Sequence, residues 1–288
     1  MEGDAALLLL ADSRLPAGGH AHSGGVEEAV RRGAVTGAGD LARFLRGRLA
    51  TAGLVTAALA AAACELAASE AVSWGRTGSG TAADGRRGTG QEPGATPDAA
   101  ARYVWRPPGA DGADGAGLWR RLDAEADART ASPAQREAAR TQGRLLLRTA
   151  RRMWPSAALD TLARAVPEGP HHPVAFGAAA ASAGCAPRQA ALAAAYTSVT
   201  GPATAAVRLL GLDPVTVHRL LAGLVPALEG AARAACASLD DAIPPDETPD
   251  ECGAGQHLGW HALPGHSAPA LDLLAEGHLT NPMKLFVS

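Results

Sequence analysis

Hydrophobic positions along the chain fall at helical spacing, and no stretch of useful length alternates with the period of two that a half-buried strand requires. The first apolar run, Ala5 to Ala11, predicts a short helix that ends at Asp12, and Gly25 to Arg32 predicts a second. Between Asp40 and Ala50 the residues Leu41, Phe44, Leu45 and Leu49 stand three or four apart. Ala52 to Val72 is apolar on most faces, as a helix buried all round should be. Later helices are announced by their caps. Ser132-Pro133-Ala134-Gln135 joins a Ser N-cap, a first-turn Pro and a Gln three residues after the cap, and predicts a helix to Met153. His172-Pro173 precedes an Ala-rich helix, and Pro187 opens another through Leu192 and Tyr196. Gly201-Pro202 is expected to break the chain, with helical spacing resuming from Ala203 to Leu210. Asp213-Pro214 predicts a capped helix kinked near Pro226 and ending around Leu239, and Pro269 to Ala275 a short last one. The fold class expected is all-α: one helical bundle spanning residues 1–288.

Two stretches fall outside this pattern. Residues 75–117 collapse into Gly, Pro, Thr, Asp and Arg and predict a flexible low-complexity insertion, too poor in apolar residues to fold alone. Residues 241–267, with Pro244, Pro245 and Pro249, predict a linker, and 268–288 a partly apolar tail.

Composition sharpens the picture. The chain is 47% hydrophobic but only 3% aromatic, so Ala, Leu and Val must fill the interior. Such a core is broad rather than deep, at roughly 25 cal/mol per Å² of apolar surface buried. The net charge of −3 gives no general attraction to nucleic acid or an anionic membrane. Lys284 is the only lysine, which removes a phosphate-binding Gly-x-x-x-x-Gly-Lys loop and makes Schiff-base chemistry improbable. Cys64, Cys185, Cys236 and Cys252 lie scattered, which predicts reduced thiols in a cytoplasmic protein. Met1-Glu2-Gly3-Asp4 is acidic where a secretory leader would be basic, and Leu49 to Cys64 is short for a membrane span.

Candidate chemistry is sparse. Arg136, Arg140, Arg144 and Arg148 sit four apart and form a basic stripe. It is either a solvated face balanced by acids such as Asp123, Glu125 and Asp127, or a docking strip for an acidic protein. Cys252, His257, His261 and His266 are the best metal set, with His171-His172 a weaker hint. Gly253, Gly255, Gly259 and Pro264 argue against the helix that would align them. Ser23 beside His22 and Glu27 invites a nucleophile reading, but triad members normally come from distant segments.

The most specific string is Asp12-Ser13-Arg14-Leu15-Pro16-Ala17-Gly18-Gly19-His20-Ala21-His22-Ser23-Gly24-Gly25-Val26-Glu27. A rigid Leu-Pro step and a Gly pair able to take positive φ describe a tight turn. Asp12 and Ser13 are expected to cap and form the turn. His22 and Ser23 are expected to bond it and cap the helix that starts near Val26.

This string resembles the N-terminal signature of the urease accessory protein UreF family, matching at Asp12, Ser13, Leu15, Pro16, Gly18, Gly19, His22, Ser23, Gly25 and Glu27. It departs at His20, Ala21 and Val26. Three further segments are similar in the same order. They are Leu122–Arg129 with Arg140–Leu146; His172–Ala179 with Tyr196–Val199 and Ala205–Leu210; and His278 followed by Lys284-Leu285-Phe286-Val287-Ser288. Leu279, Pro282 and Lys284 depart from the family's tail.

The resemblance implies an all-helical, homodimeric adapter with no catalytic residue, resident cofactor or metal. It would bind the accessory protein UreD/UreH and recruit the GTPase UreG, in an assembly that delivers nickel to apo-urease. Neither nucleic acid nor membrane is an expected partner. Tyr196 and Arg208 are expected near the dimer or GTPase-facing surface, and Lys284, Leu285 and Phe286 in UreD/UreH binding. Arg14 and Arg208 are formal candidates for an arginine finger toward the GTPase. The alternatives are a stand-alone nickel or zinc carrier using the C-terminal His/Cys segment, and a small helical hydrolase centred on His22 and Ser23.

Overall fold

The computed structural model describes residues 2–12, 15–16, 19–77, 115–240 and 259–288. These form α1 (Glu2–Ala11), α2 (Val26–Arg31), α3 (Ala38–Arg48), α4 (Leu54–Thr77), α5 (Gly115–Ala128), α6 (Pro133–Met153), α7 (Ala157–Ala165), α8 (His172–Ser182), α9 (Pro187–Leu210), α10 (Pro214–Gly223), α11 (Val225–Asp240) and α12 (Pro269–Leu279). Among the described residues there is no strand, so the chain is all-α, as its periodicity requires.

The centre is α4, packed against α8, α9 and α11, with α6 covering α8 and α12 lying over α6 and α2. Its contact surface is almost entirely alanine: Ala57, Ala58, Ala60, Ala61, Ala62 and Ala63 are all buried, facing neighbours that include Ala178, Ala179 and Ala180. With side chains this short, backbones must approach closely. Gly177 of α8 sits so near α4 that a Cβ there would lie 2.1 Å from the Ala60 carbonyl oxygen. Gly143 of α6 does the same against the Pro170 carbonyl, at 1.9 Å. The continuous run Ala38–Glu70 is long and apolar enough to cross a membrane, and 67% of its apolar window is buried inside the bundle. It is longer than the Leu49–Cys64 run because a π-helical turn, Leu49–Gly53, joins α3 to α4 without a break.

Several caps stand where the sequence puts them. Ser132 Oγ accepts from the Gln135 amide at 3.1 Å, and Asp213 accepts from the Thr216 and Val215 amides. The bend expected near Pro226 is a 45° turn between α10 and α11.

Other boundaries move. Gly201-Pro202 does not break the chain; α9 runs straight through it. Pro202 has no N–H to offer the Ser198 carbonyl four residues back. Arg48 Nε donates to that carbonyl instead, at 2.8 Å, and Arg48 Nη1 reaches the Gly24 carbonyl at 2.9 Å. α7 was not foreseen, although Ser156 caps it at the Leu159 amide and Ala158, Leu159, Leu162 and Ala165 form its buried face. α4 and α5 each extend into the stretch assigned to the insertion, whose remainder lies outside the described residues. Within the expected linker, Gly259–Ala262 forms a 3-10 turn with Trp260 and Leu263 buried. α12 continues past Ala275 to Leu279.

Candidate functional site

The first turn and the last residues, far apart in sequence, close on each other. After α1 the chain crosses Leu15 and Pro16, whose carbonyl accepts from Thr149 Oγ1 at 2.9 Å, then makes a 3-10 turn at Gly19–Ala21. The positive φ angles fall on Gly24 (60°) and Gly25 (88°), not on Gly19. At Gly24 the reason is also steric, since a Cβ would lie 2.8 Å from Pro202 Cγ. Ser13, Arg14, Ala17 and Gly18 lie outside the described residues.

His22 and Ser23 do not cap α2, whose N-cap is Gly25 with no side-chain hydrogen bond. They hold the tail. His22 Nδ1 lies 2.6 Å from Ser288 Oγ, the Ser23 amide donates to the Ser288 carbonyl oxygen at 2.5 Å, and the Val287 amide donates to the Ala21 carbonyl at 2.7 Å. Glu27 completes the grip. Its carboxylate accepts from the backbone amides of Leu285 (2.6 Å) and Phe286 (3.2 Å), and His278 Nδ1 stands 3.6 Å away. His278 Nε2 in turn pairs with the Phe286 carbonyl at 3.2 Å. A buried carboxylate that accepts from two backbone amides is well provided for, while His278 Nδ1 is near it without a hydrogen bond. Ser23 Oγ is buried with no hydrogen-bond partner, so no base reaches the hydroxyl that the hydrolase reading requires.

Helix α12 lies over a charged cluster at the end of α2, whose Arg32 Nη2 reaches the Leu273 carbonyl at 3.5 Å. Glu28, fully buried, accepts from Arg31 Nε (2.6 Å) and Arg32 Nε (2.7 Å), and these hydrogen bonds hold its pKa down to about 2 despite burial. Gly277 makes room for that pair, since a Cβ there would meet Arg32 Nη2 at 2.1 Å. The neighbouring Glu276 accepts from Ser132 Oγ (2.5 Å) and the Ala134 amide (3.0 Å), tying α12 to the start of α6.

The tail then alternates. Phe286 is 7% exposed and packs into the chain's own core, while Met283 (84%), Leu285 (76%) and Val287 (57%) face outward beside Lys284. Phe286, one of the residues expected in UreD/UreH binding, is thus sunk in the chain's own core, and Lys284 and Leu285 stand exposed beside it. Leu273 and Leu279 add exposed apolar surface on α12. Tyr196 and Arg208 are both exposed on α9, the latter beside a cavity of about 880 Å³ under the clasp.

The histidines divide by environment. His171 is buried; its backbone N and Nδ1 both address Asp123 Oδ1, at 2.7 and 3.0 Å, and Arg140 holds the other oxygen at 3.0 Å. Burial alone would raise the Asp123 pKa, but these partners keep it below the ordinary carboxylate value. His172, tilted against Phe176 at 5.8 Å, has its pKa pushed down to about 4 by burial, with His22 adding to the effect. Of the proposed metal set, Cys252 and His257 lie outside the described residues, and His261 and His266 are exposed. Among the described residues no three His, Cys, Asp or Glu side chains are grouped to hold a metal ion.

The sequence model of the UreF family matches residues 35–225, between the two halves of the clasp. Relatives extend over both halves. The protein is 39% identical over 288 residues to a urease accessory protein UreF from Mycolicibacterium vanbaalenii, covering 100% of both chains. It is 37% identical to the UreF of Mycobacterium marinum and 36% identical to that of Mycobacterium tuberculosis, each over 99% of this chain and 98% of the relative.

Proposed function

Because this chain belongs to the UreF family of urease accessory proteins, we propose that it serves urease maturation as a docking scaffold rather than as a catalyst. In this reading it is a cytoplasmic homodimer that binds UreD/UreH and recruits the GTPase UreG, so that the assembly can load nickel into apo-urease. Nickel is cargo here, and any GTP hydrolysis belongs to the partner.

The observation that carries the proposal is the clasped tail. An isolated apolar tail would collapse or fray, but here Glu27 and the Ser23 amide fix its backbone, His22 holds the Ser288 hydroxyl, and Phe286 is sunk into the core. What remains outside is a pre-ordered row of Met283, Leu285 and Val287, the kind of exposed apolar patch that marks a protein interface. Pre-ordering also removes part of the entropy cost of association. Lys284 adds a charge at the same edge. Tyr196 and Arg208, of the residue types enriched at interface hot spots, offer a second contact surface on α9 for the dimer or the GTPase.

The test is light scattering after size exclusion, on the full chain alone and mixed with its cognate UreD/UreH and UreG. Wild type should run as a dimer and take both partners into one complex. Met283→Glu combined with Leu285→Glu should keep its helical content and lose UreD/UreH. A double variant that still assembles, or a wild type that stays apart from both partners, overturns the reading.

A further inference from the structure

The arginine stripe of α6 splits into two halves with different fates. In the first half every guanidinium is engaged. Arg136 donates to the Thr130 carbonyl, Arg140 to Asp123, Asp127 and the Gly169 carbonyl, and Arg144 to the Glu168 carbonyl and Thr141. Arg140 and Arg144 strap the turn before α8 onto α6, and Arg136 closes the turn between α5 and α6. Further along, Arg151 pairs with Asp160 at 2.7 Å, while Arg148 and Arg152 are exposed and make no hydrogen bond or ion pair with any described residue. They stand four residues apart, hence on one helical face.

Both line a surface groove of about 580 Å³ between the end of α6, α7 and the turn before α8. Four arginines border it, Arg144, Arg148, Arg151 and Arg152, against the single carboxylate of Asp160, with Glu168 nearby on the same turn. Its floor is apolar: Leu147 and Val166 are buried beneath it, and Pro155, Pro167 and Pro170 form walls that cannot fold inward.

We propose that this groove docks an acidic segment of a partner protein, its carboxylates forked by Arg148 and Arg152 and an aliphatic side chain resting on the proline-walled floor. Unpaired guanidiniums present planar donor pairs that match a carboxylate. The apolar floor of Leu147 and Val166 has no use for a bare phosphate, and suits a segment that carries aliphatic side chains between its carboxylates. The surface shares no residue with the clasped tail. It rests on the scaffold reading only in that the chain docks partners.

A fluorescein-labelled peptide of Asp, Glu and Leu, titrated into the full-length chain and followed by anisotropy, tests this. Saturable binding is expected, weakening with added salt and by about tenfold or more in Arg148→Glu/Arg152→Glu. Met283→Glu/Leu285→Glu should bind the peptide like wild type, which separates failure here from failure of the tail interface. Because both arginines make no bond with any described residue, circular dichroism and Tm should be unchanged, and Arg148→Ala/Arg152→Ala provides a milder version. Absence of saturable binding, equal binding by the charge-reversed chain, or tighter binding of a single-stranded oligonucleotide overturns the proposal. So does much tighter peptide binding once Asp246, Glu247, Asp250 and Glu251 are neutralised, which would make the chain's own acidic stretch the occupant.

Discussion

The contact of α4 with α8 and the clasp between the first turn and the tail hold this molecule together by opposite means. Between α4 and α8 nearly every side chain is alanine, so no residue there is chemically distinctive and the fit is one of backbone shape. In the clasp nearly every contact is a named polar pair, and the backbone amides of the tail are themselves the ligands of Glu27. An alanine interface gains little area per residue, so its stability rests on close approach over a long surface. A polar clasp gains little net energy per bond but is costly to leave half-made. The first should tolerate chemistry and reject volume; the second should tolerate volume and reject chemistry.

The hardest blow to that contrast should come from one methyl group. Gly177→Ala places a Cβ 2.1 Å from a backbone oxygen that no rotamer change can move. It should cost about 3 kcal/mol, seen as a fall of roughly 10 °C in Tm. A loss of only a degree or two would show that α8 can slide and that shape is not what the alanine interface enforces.

Removing the centre of the clasp should cost less and act locally. Glu27→Ala strips the acceptor from two amides and should destabilise by about 1–3 kcal/mol. Native-state hydrogen exchange should show faster exchange at Leu285 and Phe286 with α4 unchanged. Equal acceleration in α4 would mean that the two regions unfold as one unit.

The smallest effect sits at the far end of α4, where Glu70 accepts from Trp119 Nε1 at 2.9 Å. Burial raises its pKa from 4.5 to about 7. The folded form therefore prefers the protonated acid, and this contribution is complete below pH 4.5 and lost as pH rises through about 7. Glu70→Gln should raise Tm at pH 8 and leave it unchanged near pH 4, by well under about 1 kcal/mol after solvent screening. A loss at alkaline pH would show that the carboxylate is held by a charge partner rather than penalised by burial.

Much of the architecture is legible in the sequence. Ser132 and Asp213 were readable as caps because capping is a local affair of one side chain and amides two or three residues on. α7 is equally legible in its Ser156 cap and the spacing of Leu159 and Leu162. Gly201-Pro202 misled for a physical reason. A proline frees a carbonyl, and whether the helix survives depends on a donor elsewhere, here Arg48 from another helix. His22 and Ser23 misled in the same way: their residue types suit a cap, but the His22 side chain and the Ser23 backbone amide meet Ser288 at the other end of the chain.

By itself, the sequence determined the helical class, the small-residue interior and the family, because periodicity, composition and motif order are properties of the chain alone. Only the tertiary structure decided which arginines of one stripe are spent and which are free, and that the motif at Asp12–Glu27 and the tail at Lys284–Ser288 are two halves of one clasp. Both questions turn on contacts between residues distant in sequence, and local pattern carries no information about which distant partner a side chain will meet.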